Sequence, residues 1–203
     1  MAATAVRVFG TPITHGTRAQ RALAAKNNQN AGGKLDQVLL LSNQSQKAAV
    51  GGGNVSIFST TYGKVYNATG ETMTYVTDHD WEGNVSGKYP LSIQNGQWAA
   101  FQHVGTRRPG RNGSVAAVVY NFGDTCDSMI SWNNPVKTAH GSNTVYCEMN
   151  DPGHFDHCDW NAIYKKLMES STEDQTSMAG YTTKVSINNS NTACFTAKFH
   201  LDV

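Results

Sequence analysis

Three groups of residues in this chain have types and spacings that could do chemistry. The first is Asp78-His79-Asp80-Trp81, a pair of carboxylates flanking an imidazole. Such a set suits general acid–base work. Neighbours on a strand point to opposite faces, so the three polar groups converge only if the segment is a loop. The simpler reading is a strand end with polar turn residues. The second group is His154-Phe155-Asp156-His157-Cys158-Asp159, which offers imidazole, thiol and carboxylate ligands of the kind zinc takes. Its spacing fits no strong metal motif and no second paired cluster accompanies it. A polar loop leading into a helix, capped by Asp156 or Asp159, is the expectation. The chain contains no Gly-x-Ser-x-Gly, no phosphate-cradling glycine-rich motif and no His-Glu-x-x-His. No enzymatic activity, metal or cofactor is expected.

The third group is aromatic: Trp81, Tyr89, Trp98, Trp132, Tyr146, Trp160, Tyr164 and Tyr181. Aromatic faces attract quaternary ammonium groups through cation–π contact, about 0.5–2 kcal/mol each. Tryptophan and tyrosine also suit a membrane interface, where one end of the ring is dry and the other wet. Any one of them can equally be an ordinary core residue. A ligand site requires several of them gathered at one end of a scaffold. Trp98 is expected in a core strand, whereas Trp81, Tyr89 and Trp132 fall near predicted turns.

The scaffold follows from composition and pattern. The 203 residues suit a single domain covering 1–203, long enough to bury a sizeable core. Nineteen glycines, with plentiful Asn, Ser and Thr, favour a turn-rich β protein. Lys plus Arg (16) nearly balances Asp plus Glu (15), which argues against binding nucleic acid through phosphate neutralisation. A zwitterionic ligand needs no net protein charge. No apolar run reaches the length of a membrane span, and the N-terminus lacks a basic-then-apolar signal sequence. The expectation is a soluble protein, cytoplasmic or released without a signal peptide, with free thiols at Cys126, Cys147, Cys158 and Cys194.

Residues 66–120 carry the clearest strand signals. In 71–77, Met73, Tyr75 and Thr77 are expected on one face and Thr72, Thr74 and Val76 on the other. Residues 97–104 and 114–120 are apolar on both faces and read as central strands, joined by a basic hairpin loop over 106–113. Short strands are also expected near Val6–Ile13 and Asn54–Thr60. Residues 128–132 and 144–149 form another predicted pair. In the last strand, Phe195, Ala197, Phe199 and Leu201 alternate with polar residues. Thr17 is placed to cap a helix over 18–28 whose apolar side is Ala19, Ala22, Leu23 and Ala25. Residues 35–42 are too short a block to separate helix from strand. Asp159 is placed to cap a helix over 160–169, with Trp160, Ile163, Tyr164 and Leu167 sharing one face.

Those residues also carry a family resemblance. Val8-Phe9-Gly10-Thr11-Pro12-Ile13, His79-Asp80-Trp81, Tyr89-Pro90 and Ile93-Gln94-Asn95-Gly96-Gln97-Trp98 resemble the group that unites plant jasmonate-induced proteins with nakanori-type mushroom lipid-binding proteins. A looser similarity to the actinoporins runs from about Gly63 to Leu201. It includes Asn67-x-x-Gly70, Gly113-Ser114-Val115-Ala116-Ala117, Ser131 with Pro135, the Trp160/Tyr164 pair and Gly180-Tyr181. The resemblance implies a mainly β, actinoporin-like antiparallel β-sandwich with one or two flanking helices. It implies peripheral binding to membrane lipids through the phosphocholine headgroup of sphingomyelin, together with cholesterol. By position it assigns headgroup contacts to Asp80, Trp81, Ser131, Pro135, Trp160 and Tyr164. The actinoporin Arg-Gly-Asp motif is absent, and an Ala-rich segment over 17–28 stands where the pore-forming helix would be. Binding without strong pore formation is therefore expected; a carbohydrate-binding lectin and a pore-forming cytolysin are the alternatives.

Overall fold

The computed structural model describes residues 7–40, 59–106, 113–136 and 142–202. Two twisted sheets face each other. One holds, in spatial order, β1 (Arg7–Phe9), β6 (Trp98–Val104), β2 (Thr60–Ala68), β12 (Thr192–Leu201), β11 (Tyr181–Ile187) and β10 (Glu173–Met178), with the short β4 (Asn84–Val85) beside β6. The other runs β5 (Ser92–Ile93), β3 (Met73–Glu82), β7 (Ser114–Phe122), β8 (Cys126–Asn134) and β9 (Thr144–Asn150). Every described pair is antiparallel except β12 with β2, which runs parallel and ties the last strand to the first long one.

The expected alternation in β12 holds: Phe195, Ala197 and Phe199 have no exposed surface and Leu201 only 6%. They meet Tyr120, Phe122, Trp132 and Tyr181 between the sheets. Phe101 lies directly over Gly63, its cross-strand partner, so close that a Cβ there would sit 2.1 Å from the ring. Only glycine fits beneath that ring, and the aromatic covers the gap a glycine leaves in a strand.

Several expectations change on contact with the structure. The strands β6 and β7, expected as the arms of a hairpin over 106–113, belong to different sheets, and residues 107–112 lie outside the described set. The described part of the strand expected over 54–60 is only its end; β2 starts at Thr60 and continues to Ala68, and residues 41–58 lie outside the described set. Thr77 does not share the face of Met73 and Tyr75. A β-bulge shifts the register there, so that Tyr75 opposes Tyr120 while Thr77 opposes Val119. Residues 34–40 are helical. None of the four cysteines is joined in a disulfide.

Among the described residues, three α-helices flank the sandwich. In α1 (Arg18–Asn27), Thr17 and Gln20 form a full capping box. The docked face is Ala22 and Ala25, whereas Leu23 is 47% exposed. Alanine lets the helix approach closely, and the arginines fasten it: Arg21 Nε donates to the Gly70 carbonyl (2.8 Å) and Arg18 to the Tyr181 hydroxyl (3.2 Å). The second helix, α2 (34–40), places Val38 beside Ala25, Tyr66, Ala68 and Trp98. Together they cover the outer side of β2 and β6. The third, α3 (Trp160–Glu169), covers the outer face of the other sheet. Among the described residues no helix is long and apolar enough to cross a membrane.

Candidate functional site

The outer face of the second sheet is where most of the predicted site residues meet. Strand β3 stays extended through Asp78-His79-Asp80-Trp81, so alternation separates them. His79 opposes Ala117, Ala117 opposes Ser131, and Ser131 opposes Tyr146, giving a row of four across β3, β7, β8 and β9 on one face. A second bulge between Asp80 and Glu82 leaves Trp81 unpaired in the ladder and packed on the same outer side as His79.

Helix α3 closes over this row. Asp159 caps it by accepting from the Asn161 and Ala162 amides at 2.9 and 3.3 Å. Ile163 and Leu167 point inward and are buried. The Ser170 hydroxyl donates to the Val145 carbonyl at 2.6 Å, which ties the far end of the helix to β9. Held at both ends, α3 presents Trp160 and Tyr164 to β3. Trp160 stacks on His79 (4.8 Å between centroids, 5° between planes). Trp81 meets Trp160 edge-on at 6.0 Å and Tyr164 at 5.5 Å. Trp81, Trp160 and Tyr164 all remain partly accessible. The buried Trp81 indole N–H finds no acceptor among the described residues.

A polar group borders the aromatics. Glu148 accepts from the Tyr146 hydroxyl at 2.5 Å, from Lys166 at 2.7 Å and from Asn150 at 2.8 Å. Burial opposes ionisation of Glu148, but the donors from Lys166 and Tyr146 outweigh it and hold the carboxyl below its usual range. Burial, with the Glu148 contact, pushes the Tyr146 phenol up to about 12. Lys166, 53% exposed, stands over the Tyr146 ring.

The remaining predicted residues do not join the accessible aromatic group. Asp80 faces the sandwich interior, next to Trp81 in sequence but on the opposite side of β3, and its carboxylate lies 3.1 Å from His103 Nε2. His103 Nδ1 lies 2.9 Å from the Ser114 hydroxyl, which donates to Thr61 (2.8 Å) and accepts from the Trp132 indole (3.3 Å). Serine, histidine and aspartate in line are the components of a nucleophilic triad. Here both Ser114 and His103 are fully buried, and the chain of bonds runs from one sheet to the other. It is an inter-sheet clasp. Ser131 shares the outer face with the aromatics but is fully buried beneath them, its hydroxyl given to the Tyr146 carbonyl at 2.8 Å. Pro135 follows the end of β8 and packs against Gly113, whose amide donates to Glu82 at 3.0 Å. It therefore borders the end of β3 that carries Trp81.

His79 enters the site as a stacking partner for Trp160, a role the acid–base reading did not give it. The signal was available: His79 and Trp81 are two apart on a strand. Burial depresses the His79 pKa, with Asp80 and Asp78 opposing in part. A histidine whose folded pKa lies below its unfolded value near 6.5 binds fewer protons when folded, so stability is lost as pH falls through that value. His200, also depressed by burial, acts in the same direction. Acidification from neutral to about pH 5 is expected to lower the melting temperature. His79→Phe, which keeps a ring against Trp160, is expected to flatten part of that slope and leave the His200 part. Thermal melts across pH on both proteins check this.

The family profile described as Nakanori-like protein matches residues 8–201. A 23 kDa jasmonate-induced protein of Hordeum vulgare is 39% identical over 131 residues, which are 61% of this chain and 60% of that protein. The match thus spans less than two thirds of the Hordeum vulgare protein. A jasmonate-induced protein homolog of Atriplex canescens is 32% identical over 125 residues, 60% of this chain and 68% of that one. The crystal structure of the lipid binding protein Nakanori superposes with a TM-score of 0.78 over 96% of this chain and 100% of its own, at 22% identity. That likeness speaks for the fold, and the profile match spans nearly all of the sequence: the chain belongs to the Nakanori-like protein family.

Proposed function

We propose that this protein is a peripheral lipid-binding protein that recognises the phosphocholine headgroup of sphingomyelin, most tightly in membranes that also contain cholesterol. The observation that carries the reading is the partly accessible group formed by Trp81, Trp160 and Tyr164 on the outer face of the second sheet, with His79 stacked behind it. Choline is a quaternary ammonium that cannot donate a conventional hydrogen bond, and aromatic faces are its usual partners. Lys166, exposed at the rim, supplies a cation for the phosphate. Asp80, Ser131 and Pro135 support the site from the strands beneath and beside it. Ser131 would contact phosphate itself only by giving up its bond to Tyr146. The family membership and the name of the structural relative, a lipid binding protein, agree with this reading.

The reading is of a binding protein without catalysis. It also disfavours pore formation, because α1 offers a bilayer only a small alanine face and is fastened to the sandwich by Arg18 and Arg21. Flotation with vesicles of defined composition tests the function. Binding is expected to vesicles of sphingomyelin with cholesterol, to be competed by free phosphocholine, and to release little entrapped dye. Equal binding with and without sphingomyelin sinks the proposal. Competition by free sugar and not by phosphocholine points instead to a lectin, and rapid dye release to a cytolysin.

A further inference from the structure

The outer face of the first sheet carries a second group of charges that the aromatic site does not use. Lys184 and Lys198 are direct cross-strand partners on β11 and β12. On the next strand the neighbouring row brings Lys64 beside Thr196. Lys26 approaches from α1, and His200 stands one row along from Lys198. Lysines placed directly opposite each other repel, and sheets ordinarily place opposite charges there. The pair is not neutralised locally: among the described residues no carboxylate lies within ion-pair distance of Lys26, Lys64, Lys184 or Lys198. Lys198 is instead steered by Gln29, which accepts from its ammonium at 2.8 Å, and lies 6.0 Å over the Trp98 ring.

Two adjoining hollows share Lys184 and Lys198, while Lys64 stands outside both linings. One, of about 600 Å³, is also bordered by Gln175, Ser186 and Thr196 and by two acidic residues, Glu173 and Asp174, which offset its lysines. The other, of about 250 Å³, lies between α1 and β12 and adds Lys26, Gln29 and His200. The formal charge of the whole chain is only +1. Three lysines, Lys26, Lys184 and Lys198, converge on the smaller hollow of this nearly neutral protein, with the Gln29 amide among them and no carboxylate in the lining, which makes it a site for multiply charged anions.

We propose that this smaller hollow binds a ligand bearing phosphate groups with a total of two or more negative charges. It lies on the opposite side of the sandwich from Trp81 and Trp160, so its occupant is not the headgroup held by the aromatics. The chemistry is the same whether the phosphates belong to a soluble ester or to a lipid headgroup, and the two sources are separable. Isothermal titration of the full chain with inositol trisphosphate reports the soluble form. Flotation with phosphatidylcholine vesicles, with and without phosphatidylinositol bisphosphate, reports the lipid form. The expected result is binding to at least one probe that weakens as salt rises. In the Lys184→Gln/Lys198→Gln double variant that binding is expected to fall about thirty-fold. The melting temperature of the variant is expected to hold or rise, because the like-charge opposition is gone. Binding to inositol trisphosphate alone assigns the site to soluble esters, and binding to the doped vesicles alone assigns it to lipid. Lys26→Gln, on an exposed helix position, is the second variant and is expected to weaken binding by a smaller factor. Sphingomyelin binding is expected to be unchanged in all these variants, which keeps this outcome separate from that of the aromatic site. Failure of the wild-type chain to bind either probe, or undiminished binding by the double variant, overturns the proposal.

Discussion

Trp160→Ala is expected to weaken binding to sphingomyelin vesicles about ten- to hundred-fold while leaving the protein folded. The magnitude follows from losing one choline-facing ring, about 0.5–2 kcal/mol, together with the positions of its neighbours. Trp160 braces both His79 and Trp81, so its removal loosens the ring that remains as well as deleting its own face. At about 1.4 kcal/mol per tenfold, those losses reach the stated range. The helix itself survives, because Asp159 still caps it and Ile163 and Leu167 still anchor it. Trp160→Phe keeps a flat ring over His79 and is expected to retain most of the affinity. Vesicle flotation and a thermal melt on the two variants separate loss of contact from loss of fold. Unweakened binding by the alanine variant removes Trp160 from the site, and equal weakening by alanine and phenylalanine with unchanged melting means that a flat ring alone is not what it supplies.

The largest effect on stability is expected at Trp132. This side chain is fully buried at the meeting point of both sheets. It lies 5.2 Å from both Phe101 and Phe195, 5.4 Å from His103 and 6.3 Å from Tyr89. Its indole N–H also donates to Ser114, inside the clasp that links the sheets. Trp132→Ala removes the ring and leaves a cavity, which costs about 3–5 kcal/mol for a residue of this size. For a domain of this length that corresponds to roughly 6–20 °C of melting temperature. Chemical denaturation of wild type and variant measures it. A change below about 1 kcal/mol would mean that the inter-sheet packing is not what holds the sandwich together.

The contrast between these two tryptophans shows how far the sequence could be read. Both sit near predicted turns or helix starts, and type alone does not tell a core ring from a surface ring. What distinguishes them is parity. Trp132 shares its face of β8 with Ile130, between the sheets, whereas Ser131 and Met129 face α3. The final strand, the Thr17 and Asp159 caps and the α3 face were legible because each rests on local periodicity or on a single hydrogen-bonding side chain. Strand β2 was not, because Gly63 breaks the pattern and its reason, the Phe101 ring, comes from a strand some forty residues away. The supposed hairpin over 106–113 failed for a similar reason: adjacency in sequence does not reveal that two central strands belong to different sheets. At the site, Trp81, Trp160 and Tyr164 come together as one group of rings. The bulge at Asp80–Glu82 and the burial of Ser131 are tertiary facts with no sequence signal of their own.

The proposed function rests on choline being held by the rings on α3 and the end of β3. The chain has four tryptophans, so its indole N–H groups give a four-signal NMR fingerprint. Titration with phosphocholine is predicted to shift the signals of Trp81 and Trp160 in step, saturating together, while Trp98 under the helices and Trp132 in the core stay in place. Saturating phosphocholine that leaves Trp81 and Trp160 unmoved, or that moves only Trp98 or Trp132, would contradict it.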